Sequence, residues 1–298
     1  MIATPTVLVL GAGASVHCHY PLGRQLVCDL CELRERFDQP LPPQWGQEIV
    51  RRFLRKLSYS DPSSIDAFLE RHPQDGALGK YLIAQQLKKN EKIDALFPPN
   101  DAGWYRYVFG QLLVNGEPRF KENALTVVTF NYDRSLEAYL YVRLQAEYNL
   151  DEEAALEILN QLSIIHVHGI LGDFPSYPYQ PDTNVTELLA ISEKIQIIHE
   201  LGDHAGEYCN DQFKRAHDKL NEASSIYFLG FGFHPDNVRR FRFFLPENLK
   251  GKELMATAVQ KPMELNALKA SLSGMGFPDD AFHSYECGQF FRFKAGLN

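Results

Sequence analysis

The sequence is poor in cysteine. Its 5 cysteines in 298 residues are odd in number and scattered along the chain. A disulfide framework needs a dense, even set of cysteines, so we expect reduced thiols in a cytoplasmic protein. Long apolar runs are also lacking. The apolar run near the N-terminus is too short for a signal peptide or a membrane span, and no basic segment precedes it. We therefore expect no membrane partner.

Positive charge is scarce. The chain carries 30 Lys and Arg against 38 Asp and Glu, a formal net charge of −8. Such a surface repels the phosphates of nucleic acid over most of its area. The two basic stretches, VRRFLRK and RRFRFF, are interrupted by apolar residues, which favours solvated helix faces over a nucleic-acid patch. We expect no nucleic-acid partner.

The sequence does contain short apolar segments separated by longer helical stretches. Each segment is rich in β-branched residues or leucine and ends in glycine or polar residues, as buried parallel strands do. The fold class is therefore α/β, and we predict a single domain over residues 1–298, which is long enough to bury a large core. The predicted strands cover residues 7–10, 125–129, 163–167, 225–229 and 253–259.

More than a hundred residues separate the first two predicted strands. This region has helical periodicity, and in SSIDAFLERH either Ser63 or Ser64 could cap a helix. A connection of this length in a compact sheet indicates an inserted subdomain. We predict a helical insertion over residues 25–123.

The first predicted strand runs into a glycine turn in TVLVLGAGAS. A strand, a glycine turn and a helix beginning near Leu22 form a geometry in which backbone N–H groups cradle a phosphate, so Gly11 and Gly13 indicate a dinucleotide site. The usual fingerprint also has a third glycine, where this chain has Val16, and an acidic residue ending a second strand. A tight turn that binds nothing is the alternative.

Three further motifs lie at the ends of predicted strands: TFNYD at residues 129–133, HVHG at 166–169 and LGFGFHPDN at 229–237. Ligands of open parallel sheets bind outside the carboxyl ends of the strands, so we expect these segments to share a crevice with the glycine turn. In the last motif Gly230 and Gly232 would let the backbone approach a ribose or a phosphate, or the segment is an ordinary loop. The roles of His234 and Asp236 stay open.

The order GAGAS, TFNYD, HVHG and a strand ending in LGFGF resembles the SIR2-like family, in the zinc-free form of the sirtuin fold found in bacterial effectors that consume NAD. The resemblance covers about residues 6–237. It implies a Rossmann-like parallel sheet of the sirtuin type with an inserted helical subdomain. It also implies that the pyrophosphate of NAD contacts Gly11, Ala12, Gly13, Ala14 and Ser15.

The same resemblance assigns roles at the ends of the second and third predicted strands. Asn131 and Asp133 would lie at the nicotinamide ribose and carboxamide, and His168 would be the catalytic base. Phe130 stands where sirtuins often have glutamine, which removes a polar contact to the substrate. Asp133 could equally cap the helix that follows it, and the two roles are compatible. His166 competes with His168, because residues two apart in a strand share a side, but His168 adjoins Gly169, where the strand is predicted to end.

The chemistry of the nicotinamide–ribose bond suits these side chains. The bond breaks through an oxocarbenium-like centre with a good leaving group, so positioning, exclusion of water and a base matter more than a strong acid. Asn131 can hold a ribose hydroxyl or a water, and His168 can accept a proton near pH 7.

Zinc chemistry is not expected. Deacylases of the family hold a zinc with two Cys-x-x-Cys pairs, whereas this chain has only Cys28 and Cys31. The consecutive His17, Cys18 and His19 cannot readily face one metal. Without the zinc module the platform for an acyl-lysine peptide would also be missing, which argues against protein deacylation.

The resemblance therefore implies an NAD hydrolase that releases nicotinamide and ADP-ribose, as an NAD-depleting effector of anti-phage defence. The alternatives are a cyclase or transferase of the ADP-ribosyl group and a regulatory module that binds NAD or ADP-ribose. Because a freely active enzyme would drain its host's NAD, we expect dependence on a protein partner or on homo-oligomer formation. Asp66 resembles part of a recurring helix in the family's insertion and is assigned no catalytic role.

Overall fold

The computed structural model describes residues 1–35, 37–98, 103–197, 211–233, 249–258, 262–273, 277–293 and 295–297. It has a six-stranded sheet and a separate hairpin of two short strands, β2 and β3. The strands are β1 (Thr6–Leu10), β2 (Leu113–Val114), β3 (Glu117–Pro118), β4 (Leu125–Thr129), β5 (Ser163–His166), β6 (Ser225–Leu229), β7 (Glu253–Thr257) and β8 (Phe282–His283).

The large sheet is entirely parallel, and its strands lie in the order β5-β4-β1-β6-β7-β8. Numbered by their succession along the chain, these six strands have the order 3-2-1-4-5-6, which is that of a Rossmann-like fold. The predicted α/β class is confirmed, and the five predicted strands are present with bounds that differ by at most two residues. The two-residue strand β8 was not predicted.

The central strands form where the sequence has short runs of apolar residues with threonine or serine and no charged residue. All five residues are buried in β1, in β4 and in β6. Strands that are covered on both faces lose the alternation of apolar and polar residues, and this is why the runs TVLVL, LTVVT and SIYFL appear as continuous signals. β1 pairs with β4 on one side and with β6 on the other, so it lies at the centre of the sheet.

The region between β1 and β4 is helical, as predicted. Ser64 caps the third helix by accepting a hydrogen bond of 3.1 Å from the Ala67 amide. The buried cluster that contains Leu8 and Leu10 of β1 continues into this region. The limits of the insertion at residues 25 and 123 stay a prediction. Its helices are α1 (Gly23–Glu32), α2 (Gln47–Ser60), α3 (Ile65–Arg71), α4 (Gly76–Lys88), α5 (Ile93–Leu96) and α6 (Gly103–Gln111).

Helices cover both faces of the sheet. One face packs against the insertion and against α7, and the other packs against α10, whose Phe213 and Leu220 join a cluster with Val7 and Val9 of β1. The connections therefore pass on both sides of the sheet, as in doubly wound folds. The remaining helices are α7 (Ser135–Tyr148), α8 (Glu152–Leu159), α9 (Val185–Glu193), α10 (Asp211–Glu222), α11 (Pro262–Ser273) and α12 (Cys287–Phe293).

Candidate functional site

The four motifs follow four neighbouring strands. HVHG follows β5, TFNYD follows β4, GAGAS follows β1 and LGFGF follows β6, and these strands lie side by side in that order. Because the strands are parallel, the motifs lie along the same edge of the sheet. The chain order reverses at β1, and in open α/β sheets such a reversal point is where ligands bind.

The glycines after β1 allow two turns to approach each other closely. The Gly11 amide donates a hydrogen bond of 3.0 Å to the Leu229 carbonyl, and the Gly13 amide donates one of 3.0 Å to the Gly230 carbonyl. A Cβ at Gly11 would lie 2.6 Å from the Gly230 oxygen, and one at Gly13 would lie 2.7 Å from the Gly230 Cα. Packing between the two turns therefore requires these glycines, and both amides are already used within the protein.

Gly230 is restricted in the same way, whereas Gly232 is not. Gly230 has a φ of +56°, and a Cβ there would lie 2.1 Å from the Ala14 nitrogen. Its amide donates to the Thr257 hydroxyl at 2.7 Å. Gly232 is exposed, and a Cβ added to it would meet nothing within 4 Å. Contact of either glycine with a ligand stays a prediction, and His234 and Asp236 lie outside the described residues.

Alanine substitutions separate these two glycines. Gly230→Ala is expected to lower the free energy of unfolding by at least about 2 kcal/mol, because it combines an unfavourable φ with a backbone clash. Gly232→Ala is the matched control and is expected to change stability by less than about 0.5 kcal/mol. Urea denaturation of both variants checks this expectation, and equal stability of the two would contradict it.

Asn131 is held against the glycine turn. Its side-chain NH₂ donates to the Gly11 carbonyl at 3.0 Å and to the Ser15 hydroxyl at 3.2 Å, and the residue is 9% exposed. Within the described part of the chain, its side-chain oxygen accepts no hydrogen bond. The amide is thus fixed by its donor end, and its acceptor end remains available for a hydroxyl or a water.

Asp133 is buried beneath the same turn. It accepts hydrogen bonds from the Ser135 amide at 3.1 Å and from the Ser135 hydroxyl. Burial raises the pKa of this carboxyl, and the hydrogen bonds from Ser135 and Ser15 offset part of that shift. The N-cap position of α7 is Arg134, which makes no side-chain cap hydrogen bond, and Asp133 instead accepts from the Ser135 amide one residue further on. Its contact with a nicotinamide carboxamide stays a prediction.

The two histidines of HVHG lie in different environments. The His168 ring packs edge-on against Phe130, with ring centroids 5.4 Å apart, and against Phe213 of α10, with centroids 5.7 Å apart. His166 instead contacts Glu137 of α7, with 2.6 Å between its Nε2 and the carboxylate. The expectation that spacing puts both rings on one side is wrong, because β5 ends at His166 and the chain turns before His168.

The segment after α9 fixes the backbone around His168. The His168 carbonyl accepts a hydrogen bond of 2.8 Å from the Gln196 amide, and Gly169 forms an antiparallel bridge with Ile195. Gly169 has a φ of +78°, and a Cβ there would lie 2.0 Å from the Lys194 oxygen. A glycine is therefore required directly after His168, and it lets the imidazole turn toward the aromatic side of the sheet.

Sequence reasoning missed two contacts that join TFNYD and the following arginine to the insertion. The Tyr132 hydroxyl donates to Asp66 at 2.6 Å, which gives Asp66 a structural partner. Arg134 is fully buried and donates to the Glu91 carboxylate through Nε and Nη2 at 2.7 to 2.9 Å, and Lys88 donates to the same carboxylate. The only sequence signal was the run NYDR, an unusual density of polar groups at the end of a buried strand.

Two open grooves lie beside this site, on the side of the insertion. One of about 680 Å³ is lined by His19, Glu91 and Tyr179, and another of about 470 Å³ is lined by His19 and Tyr20. Neither is lined by Asn131 or His168 in the part of the chain that the structure describes. The predicted crevice at the strand ends is therefore a different place from these grooves.

Within the described residues, no cluster of three or more His, Cys, Asp or Glu side chains is arranged to hold a metal ion. Cys28 and Cys31 are both partly buried on α1, and burial raises the pKa of the Cys18 thiol. The helices described there are all too short or too polar to cross a membrane.

Comparisons with known proteins identify no family. No family model and no curated protein matches the chain. Function must therefore be inferred from the geometry of the strand ends and from the motifs that occupy them.

Proposed function

We propose that this protein is an NAD hydrolase with a sirtuin-type Rossmann-like sheet, which releases nicotinamide and ADP-ribose and depletes NAD in anti-phage defence. The observation that carries the proposal is the anchoring of Asn131 at the reversal point of the sheet. Its NH₂ group is bonded to Gly11 and Ser15, and among the residues that the structure describes none donates to its oxygen. This polarity suits a ribose hydroxyl or an attacking water.

His168 and its aromatic neighbours suit the remaining needs of the reaction. His168 is 5% exposed and packs on Phe130 and Phe213, and Phe231 packs on Phe130 with ring centroids 4.9 Å apart. Apolar walls exclude bulk water and strengthen electrostatic interactions inside the site. In this proposal Asn131 holds the water, and His168 accepts the proton that the water loses as it adds to the ribose carbon.

NAD itself supplies the leaving group, because its nicotinamide is cationic until the bond to ribose breaks. Asp133 accepts two hydrogen bonds from Ser135, and a carboxylate has about four acceptor positions, so it has room for one carboxamide N–H. The phosphate end fits less directly, because the amides of Gly11 and Gly13 are bonded to the turn after β6. The turn at residues 11–15 would then contact the pyrophosphate mainly through Ala12 and Ser15.

Two contacts from the insertion support a regulatory role for it. The Trp104 side chain on α6 donates to the Ala14 carbonyl at 2.9 Å, and Asp66 on α3 accepts from Tyr132. A protein partner or a second copy of the chain that contacts α3 or α6 would act through Tyr132 or Ala14, which lie beside or among the predicted substrate contacts. We propose that the isolated chain is a weak NADase and that such an interaction activates it.

Chromatography of the products tests this function. Purified protein is incubated with NAD at rising protein concentration, alone and with candidate partners encoded beside it, and nicotinamide, ADP-ribose and cyclic ADP-ribose are quantified. The proposal expects equal amounts of nicotinamide and ADP-ribose, with a specific rate that rises with concentration or with a partner. Cyclic product would indicate a cyclase, and NAD binding without any cleavage would indicate a regulatory module. High turnover by a monomer at every protein concentration would contradict activation by a partner or a second copy, and it would leave the NAD hydrolase activity standing.

A further inference from the structure

His166 connects α7 to the backbone of Asn131. Its Nε2 lies 2.6 Å from the Glu137 carboxylate, and its Nδ1 lies 3.2 Å from the Asn131 carbonyl oxygen. The side chains of His166 and Glu137 are only 10% and 11% exposed. The pair therefore lies under the end of β4, directly beneath the residue that is proposed to hold the attacking water.

Both partners of the His166 ring are acceptors. A carbonyl oxygen and a carboxylate oxygen each need a donated proton, so both contacts are satisfied together only when the ring carries two protons. Burial by itself lowers the pKa of His166, but the Glu137 carboxylate and the Asn131 carbonyl raise it above its ordinary value, and Asp133 adds to this. On the opposite face, the α10 side chains that pack against the sheet are Phe213, Ala216 and Leu220.

We propose that Glu137 and His166 are positioning residues, which hold the Asn131 backbone in place through a doubly protonated imidazole. When the ring loses a proton, the remaining proton stays on Nε2, which donates it to the Glu137 carboxylate, because the carboxylate is a stronger acceptor than the carbonyl. The hydrogen bond to the Asn131 carbonyl is then lost, and two lone pairs face each other across that contact. Asn131 is displaced as a result, although neither Glu137 nor His166 touches the substrate.

The sign of the pH dependence follows from this arrangement. A histidine whose pKa is raised in the folded protein keeps its proton at low pH, so the positioning is intact there and is lost as the pH rises through that pKa. The alkaline limb of the activity profile therefore belongs to the His166 and Glu137 pair. The activity part of this inference rests on the proposed NAD cleavage, whereas the protonation of His166 does not.

Glu137→Gln tests the proposal, because it keeps the shape of the side chain and removes its charge. NAD cleavage by this variant is expected to be at least about fivefold below wild type at the alkaline end of the profile and within about twofold at the acid end. The matched control is Glu147→Gln, the same change on the same helix at an exposed pair with Arg143, and it should leave the profile unchanged. A rate reduced equally at every pH would indicate a merely structural role and overturn the proposal.

A second measurement needs no activity. The ring of His166 and the amide signals around Asn131 are followed by NMR as the pH is raised without NAD. We expect them to titrate together, and to do so at lower pH in Glu137→Gln. A neutral His166 ring from pH 5 upward, or Asn131 signals that ignore its titration, would refute the positioning role. A protein that shows this titration but cleaves no NAD would refute the proposed function instead.

Discussion

Replacing Asn131 or His168 with alanine is expected to leave the protein folded and to lower its rate of NAD cleavage by at least about a hundredfold, the scale for losing a positioned base or its substrate contact. Asn131→Ala removes a side-chain amide whose NH₂ donates two hydrogen bonds and thereby positions its oxygen as an acceptor. Among the described residues it is the only such group at the reversal point. His168→Ala removes the proton acceptor and leaves the aromatic walls in place. The rates are measured as nicotinamide release, under conditions in which wild type is active.

Two controls make this result specific. His217→Ala changes a histidine on α10 that bonds to Asn221 at the surface, and it should leave the rate unchanged. His166→Ala should cause a milder loss than His168→Ala, because His166 acts through the backbone of Asn131. Circular dichroism and a melting curve show that each variant is folded. Full turnover by Asn131→Ala or by His168→Ala would remove that residue from the mechanism.

Glu91→Gln is expected to destabilise the protein by about 3 to 5 kcal/mol, the usual effect of removing one partner of a buried ion pair. Glu91 is buried between two cations, Lys88 and Arg134, which are also buried. Without its carboxylate both charges remain in the interior and lose the anion with which they pair. The free energy of unfolding is measured by urea denaturation, and the loss appears as a lower midpoint with an unchanged slope.

A second substitution in the same buried cluster, Arg134→Met, provides a comparison for Glu91→Gln. Arg134→Met leaves Lys88 paired with Glu91, so it should destabilise the protein less than Glu91→Gln does, despite removing a larger polar group. Glu147→Gln is the exposed control, at a pair with Arg143 whose side chains are 33% and 39% exposed, and it should cost less than about 1 kcal/mol. Equal stability of Glu91→Gln and wild type would show that the buried cluster does not stabilise the fold.

The stability of this cluster bears on function because of where Arg134 lies. It directly follows Asp133, and it also donates to the Tyr177 carbonyl at 2.7 Å, in the loop that comes after HVHG. A single guanidinium thus joins the connection between α4 and α5, the start of α7 and the segment beyond β5. Partial loss of the cluster should loosen TFNYD and HVHG together. NAD cleavage by Arg134→Met is therefore measured at temperatures well below the melting midpoint of the variant.

The sequence predicted the sheet well because its strands are buried on both faces, and this produces continuous apolar runs with little ambiguity. The two residues of β8 carry no such signal, since a strand this short has no periodicity. Placing the motifs at strand ends was enough to bring them to one edge, because parallel strands share that edge. The sides on which His166 and His168 lie could not be predicted, since they depend on the one residue at which β5 ends.

Long-range contacts set the other limit on prediction. Arg134 and Glu91 are 43 positions apart, and charged residues are usually exposed, so nothing in the sequence marks them as a buried pair. The contact of Gly11 and Gly13 with Gly230 likewise depends on β1 and β6 being neighbours. The same glycines fit both a phosphate cradle and a tight packing contact, and only the three-dimensional arrangement reveals the second.

A crystal structure of His168→Ala with NAD tests the central claim most directly, because this variant should bind the substrate without consuming it. We expect intact NAD at the carboxyl ends of β4, β1 and β6, with a hydroxyl of the nicotinamide ribose bonded to the Asn131 side-chain oxygen and the pyrophosphate beside residues 11–15. NAD bound elsewhere, or no binding at millimolar NAD while the variant remains folded, would contradict it.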